Sequence, residues 1–195
     1  FQTAAVFNKD ILVGATAALD AQLMSGEAIA QLSGDAARLG MTFDESLKTQ
    51  ENAVNAINSQ TGAQISLKTV LEDSNKITGQ IRAQLGSNPE AIARAVTQAK
   101  ALGFELEQIA NSGKALLGFE SSIEAELEAE LLTGKQLNLE KARLAALTGD
   151  YETLTKEIAA NVGDFNDFSQ MNVLQQEAIA KSVGMTADDL ANSLI

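Results

Sequence analysis

Phe119, Ile123, Leu127 and Leu131 recur every four residues, a spacing that lines one face of an α-helix. Glu120, Glu124, Glu126, Glu128 and Glu130 fill the other faces, with no Lys or Arg among them. Like charges one helical turn apart cost a few tenths of a kcal/mol per pair. The helix is therefore expected to bury its apolar stripe to offset them. Glutamates near its start suit the positive end of the helix dipole. Leu132-Thr133-Gly134 stops it, because glycine takes the left-handed conformation cheaply. The design repeats over residues 137–147, where Leu137, Leu144 and Leu147 with Ala145 and Ala146 precede Thr148-Gly149. Lys135, Lys141 and Arg143 follow the acidic run and are placed to pair with it across a helical hairpin. Asp150 is a good N-cap for the next helix.

Two expectations follow for this stretch. Phe119, Ile123, Leu127 and Leu131 carry packing and partner contacts, with Leu144 and Leu147 facing them. Glu120, Glu124, Glu126, Glu128 and Glu130 form a solvated acidic face. A divalent-metal or basic-partner surface is the alternative for the glutamates. The metal version is weak, because carboxylate sites in helical bundles usually add a Glu-x-x-His pair and this chain has no histidine.

A single proline in 195 residues fits long helical runs. Period-two runs of β-branched and aromatic residues are absent, so no strand is expected. With aromatics at 4%, Ala, Leu and Ile must do the packing, which favours closely approaching helices. The expected fold is all-α: eight to ten helices in antiparallel helical hairpins with Gly-capped corners and no sheet. Residues 1–62 read as an Ala-rich helical segment, and residues 63–195 as a helical domain containing the acidic helix. In the first, Val6, Phe7, Ile11, Leu12, Leu19 and Leu23 suit packing on a partner helix. A membrane-active reading is weaker, since the basic face of an interfacial helix is missing. The apolar run at residues 11–19 is too short to span a bilayer. The chain opens on Phe and ends on Ile, and is expected to be a piece of a longer polypeptide.

One phrase occurs three times: Ala36-Ala37-Arg38-Leu39-Gly40-Met41, Ala99-Lys100-Ala101-Leu102-Gly103-Phe104 and Ala180-Lys181-Ser182-Val183-Gly184-Met185. Each reads as a helix end, a glycine, an apolar residue and a new acidic helix start, with Thr42 and Thr186 as N-caps. The recurrence reads as a repeated corner rather than a duplication. Leu67, Val70, Leu71, Ile77, Ile81 and Leu85 form a stripe, and Gly86-Ser87-Asn88-Pro89 punctuates it before a helix carrying Ile92, Val96, Ala99 and Leu102 inward. Residues 163–172 read as a turn with Phe165, Phe168 and Met171 folded back as core plugs. A last long helix is expected over residues 173–183.

The chemistry is sparse. Without His or Cys, neither a His-based triad nor a cysteine nucleophile is possible. Gly113-Lys114 and Gly134-Lys135 lack the flanking residues of a phosphate loop. Residues 164–167 are too short and too poor in spaced oxygens for a calcium loop. No catalytic, cofactor-binding or metal residue is expected, no cofactor, and no enzymatic activity. The net charge is −12 and lopsided: residues 1–100 carry 10 acidic and 8 basic side chains, and residues 101–195 carry 16 and 6. Direct nucleic-acid binding, which needs clustered Lys and Arg, is not expected.

Three phrases carry a resemblance: NPEAIARAVTQAKALGFELEQIA (88–110), LLGFESSIEAELEAELLTGKQLNLEKARLAALTGD (116–150) and MNVLQQEAIAKSVGMTADDLANSL (171–194). Over roughly residues 65–195 the chain resembles tail tape measure and related virion structural proteins of tailed bacteriophages. The resemblance implies a mostly helical protein in the tail lumen or at the tail tip, which sets tail length and assists genome ejection. Its implied partners are tail tube, tip or hub proteins, with several copies in the tail and membrane contact only during ejection. Residues 142–158, ARLAALTGDYETLTKEI, also resemble the helix–Gly-Asp-Tyr–helix turn of tetratricopeptide repeats. Leu154 replaces the small residue expected there, and no second copy lies at the repeat distance. A soluble helical adaptor and an acidic helical scaffold protein are therefore the alternatives.

Overall fold

The computed structural model describes residues 26–195. They form twelve α-helices and no strand. In chain order these are α1 (Gly26–Arg38), α2 (Phe43–Thr61), α3 (Leu67–Lys76), α4 (Gly79–Gln84), α5 (Pro89–Ala101) and α6 (Leu106–Leu116). There follow α7 (Phe119–Thr133), α8 (Glu140–Thr148), α9 (Tyr151–Val162), α10 (Phe165–Ser169), α11 (Val173–Ser182) and α12 (Ala187–Leu194). The positions proposed for partner packing at Val6, Phe7, Ile11, Leu12, Leu19 and Leu23, and the apolar run at residues 11–19, lie outside the described residues.

The all-α expectation holds, but the helices outnumber the eight to ten expected. Two short ones make the difference. The stripe expected over residues 67–85 breaks at Ile77, which is extended at φ −64° and ψ 141°. Thr78 then opens α4 by accepting from the Ile81 N–H at 3.4 Å. In residues 163–172, expected to be a turn, Asp164 accepts from the Asp167 N–H at 2.8 Å and starts α10. Of the three expected core plugs only Phe168 is fully buried; Phe165 is 43% exposed.

Two compact units meet between Thr97 and Gln98, inside α5, and not at residues 62/63. The earlier boundary would cut a core, because Phe43 on α2 and Leu71 on α3 pack in one cluster with Ile29 and Leu32 of α1. That cluster anchors the first unit. Beside it a polar knot ties α1 to α3 and α4. The buried Asp35 accepts from Arg82 Nη1 and from Arg38 Nη2, each at 2.6 Å. Arg82 Nη2 also donates to the Ser74 carbonyl at 2.6 Å, so the charge is both paired and hydrogen-bonded.

After α4 the chain turns through Gly86 and Ser87. Ser87 is left-handed, at φ 52°, a conformation that costs L-residues about 1–2 kcal/mol. The Ser87 N–H donates to the Arg82 carbonyl at 2.8 Å, a bond that glycine would retain. Ser87→Gly is expected to raise the stability of the first unit by about 0.5–1 kcal/mol, the relieved strain less the entropy of the freer unfolded chain. Urea denaturation measures it; an unchanged or lower midpoint contradicts it.

In the second unit α11 packs along α7, and α8 and α9 pack on each other and on α6. The three recurrent phrases form the same hydrogen-bonded turn. Met41, Phe104 and Met185 N–H donate to the carbonyls of Ala36, Ala99 and Ala180, each at 2.9 Å. Gly40, Gly103 and Gly184 N–H donate to Ala37, Lys100 and Lys181 at 3.2, 3.1 and 3.0 Å. These are the paired bonds of a Schellman motif, and they satisfy carbonyls that the helix end leaves free. The next helix starts at once in each case: Thr42 caps Glu45, Thr186 caps Asp189, and Gln108 reaches back to the Glu105 N–H at 2.8 Å.

Candidate docking surface

α7 is bounded by Gly118 and by the left-handed Gly134, whose N–H donates to the Glu130 carbonyl at 2.8 Å. Its buried face is Ser122, Ala125 and Ala129. Small side chains let a neighbouring helix approach closely, and α11 takes that place with Ala178 and Ser182 buried on its own side. Gln175 Nε2 donates to the Leu132 carbonyl at 2.9 Å and Lys181 Nζ binds Glu128 Oε2 at 2.6 Å, so the two helices run antiparallel.

The leucine ridge therefore points away from the chain's own core. Phe119 is 52% exposed, Ile123 46%, Leu127 58% and Leu131 85%. The expectation that this stripe is buried against a neighbouring helix is corrected: the Ser/Ala face does that work. Leu144 and Leu147 are not buried either. They are 61% and 64% exposed on α8, whose buried positions are Ala142, Arg143 and Ala145. Further apolar side chains are exposed near the end of α7. Leu132 is exposed, and its carbonyl holds Gln175 beside the exposed Val173 and Leu174 at the start of α11. Large apolar side chains left exposed at one-turn spacing make α7 a candidate docking face.

The acidic face divides into two kinds. Glu120, Glu124 and Glu128 are exposed. Glu128 binds Lys181, and that hydrogen bond and charge, with Glu124 nearby, raise the lysine pKa above its usual value. Glu126 and Glu130 are half-buried and hydrogen-bonded within the chain, which corrects the expectation of a wholly solvated face for them. Glu126 Oε2 accepts from Arg143 Nη2 at 2.5 Å, while its Oε1 accepts from the Leu139 N–H at 3.0 Å. Glu130 Oε1 accepts from the Leu137 N–H at 2.8 Å. These two carboxylates satisfy the backbone of the connection from α7 to α8. Asn161 does the same for Asn138, accepting from its N–H at 2.7 Å and donating to its carbonyl at 3.1 Å.

Of the three basic residues expected to answer the acidic run, Arg143 does so. It is buried, with Nε donating to Ser122 Oγ at 3.0 Å as well as Nη2 to Glu126. Lys135 goes elsewhere: its Nζ donates to the Val162 carbonyl at 3.0 Å, a cation at the C-terminal end of α9. The sequence held one signal for the buried pair. Arg143 lies four residues after Leu139 and next to Ala142, on the α8 face that turns inward, and a buried guanidinium needs a carboxylate. Between the two helices lies a cleft of about 380 Å³ lined by Ile123, Glu126, Leu137, Asn138, Glu140 and Arg143. It opens beside the ridge.

Among the described residues no group of three or more carboxylates is placed to hold a metal ion. No helix of the described residues is long and apolar enough to cross a membrane. Compared with family models, curated proteins and solved structures, the chain matches none.

Proposed function

We propose that this chain is a structural element of a larger particle, docked through the α7 ridge. The role we assign is the one its resemblance implies: a folded segment of a phage tail tape measure, in the tail lumen or at the tip. There it would contact tail tube, tip or hub proteins, in several copies, and help set tail length and eject the genome. One observation carries the docking reading. Four large apolar side chains stand exposed on a helix that already packs inward through small ones. The tail assignment rests on the three quoted phrases. Helices paired as antiparallel hairpins that turn at glycines would suit a folded end of a ruler better than one unbroken rod. The acidic balance of residues 101–195 would repel packaged DNA rather than bind it.

Mass spectrometry of purified tails tests the role. The expected result is a few copies per tail, with α7 cross-linked to a tube, tip or hub protein. Leu127→Asp, at an exposed position, is expected to lower incorporation at least about tenfold, the effect of about 1.4 kcal/mol at an interface. A soluble monomer outside any particle would favour the helical adaptor. Loss of the chain on maturation would favour the scaffold.

A further inference from the structure

We infer that the ridge takes a basic amphipathic helix of another protein, and not a second copy of this chain. The inference deepens the docking reading and rests on it. Residues advance by about 100° around a helix, so Phe119, Ile123, Leu127 and Leu131 sweep a band about 120° wide. Glu120, Glu124 and Glu128 lie along one edge of that band. Along the other lie Glu126, Glu130 and the cleft, whose rim carries Glu140. Both flanks carry glutamates; on the second, Glu126 is already paired with Arg143.

Shape alone would allow self-pairing. An antiparallel twofold centred on Ala125 sets Phe119 against Leu131 and Ile123 against Leu127. Charge opposes it. In that pairing equivalent flanks meet, so Glu120, Glu124 and Glu128 face the same row of the second copy. In a parallel twofold that row faces Glu130 and Glu126 instead, and the Arg143 guanidinium there is buried and already bound to Glu126, so it does not answer the row. Lys181 offers little relief, since it is already bound to Glu128. Like charges across an interface discriminate against a partner more sharply than apolar fit selects one.

A partner with Lys or Arg beside its own apolar stripe meets none of these costs. Glu120 and Glu124 make no ion pair among the described residues and would gain one. On the other flank a basic side chain would meet Glu140 at the mouth of a cleft that Arg143 also lines, its guanidinium already bound to Glu126. From Phe119 to Leu131 the ridge is about 18 Å long, so a helix of about 15–20 residues covers it.

The test titrates the chain with three synthetic helices and follows fluorescence anisotropy. The first carries leucine at every fourth position and lysine on both flanks. The second keeps the leucines and has glutamate flanks. The third keeps the lysines and replaces the leucines by alanine. The first is expected to bind at least tenfold tighter than either control. Leu127→Ser should remove that advantage with helicity unchanged by circular dichroism. Glu120→Lys with Glu124→Lys should turn the preference toward the glutamate-flanked helix. Sedimentation should show a monomer at neutral pH. Equal binding of the two leucine helices, indifference to Leu127→Ser, or a dimer lost in Leu127→Ser would overturn the inference. So would vesicle binding that Leu127→Ser abolishes. Cross-linking of α7 in particles to a segment that is not basic leaves the docking reading standing and refutes this one.

Discussion

Replacing Gly103 by alanine is expected to destabilise the second unit by about 3–5 kcal/mol, among the largest effects of a single substitution. The same change at Gly40 is expected to cost only about 1–2 kcal/mol, the price of a left-handed alanine. The two glycines sit in turns with matching hydrogen bonds, at φ 85° and φ 70°. Their surroundings differ. A Cβ at Gly40 would meet nothing within 4 Å, whereas one at Gly103 would lie 1.9 Å from the Ser193 carbonyl oxygen. Backbone cannot swing aside as a side-chain tip can. The last turn of α12 must move, and α12 holds the fully buried Leu190. Gly184→Ala is expected to fall between: its Cβ would lie 2.4 Å from the Ala115 methyl, which is fixed to the α6 backbone, so α6 must shift but from a longer contact than at Gly103. Urea denaturation of the three variants checks the order. For a unit of this size each kcal/mol shifts the melting midpoint by about 4–8 °C, so Gly103→Ala should fall by more than about 12 °C. Equal losses at all three glycines would show that the close approach at Ser193 contributes nothing.

That comparison shows which instructions are local. The hydrogen bonds of each glycine turn lie within six residues, and the caps at Thr42, Asp150 and Thr186 act over three. Such signals are complete in the sequence, and the all-helical character was legible from them and from the four-residue spacing. The breaks at Ile77 and at α10 were less so. Each depends on a single capping side chain: Thr78 starts a new helix within an apolar pattern that runs on through it, and Asp164 starts one in residues that read as a turn.

The direction in which α7 faces was not legible. Periodicity finds an apolar stripe, but it does not say whether anything in the same chain covers it. The deciding residues are small. Ser122, Ala125 and Ala129 form an inward face of low hydrophobicity, and its value lies in how near α11 can come. Close approach is a property of two helices together, so one helix's pattern does not reveal it. The same holds for the glutamates. Glu120 and Glu126 look alike in a charge count, yet one is exposed and the other closes a backbone connection 13 residues away.

Glu126→Ala is accordingly expected to destabilise the second unit by about 3–5 kcal/mol, the cost of stranding a buried charge. The Arg143 side chain is 8% exposed and that of Glu126 13%. Removing the carboxylate leaves the guanidinium with Ser122 alone and orphans the Leu139 N–H. Glu126→Gln retains an acceptor for Leu139 but not the charge, and should cost about 2 kcal/mol. The double variant Glu126→Leu with Arg143→Leu should cost less than Glu126→Ala, because no buried charge remains. What it retains is the unsatisfied Leu139 N–H, worth about 1–3 kcal/mol. Glu120→Ala is the control, since a solvated carboxylate is worth less than about 0.5 kcal/mol. Chemical denaturation of the four variants separates a paired, buried Glu126 from a merely solvated one. If Glu126→Ala matched Glu120→Ala, the connection from α7 to α8 would not depend on the carboxylate. The cleft beside Ile123 would then lose the brace that gives it a fixed shape. If the order holds, the ridge stands on a rigid support, and the proposed partner helix would have little ordering of the surface to offset.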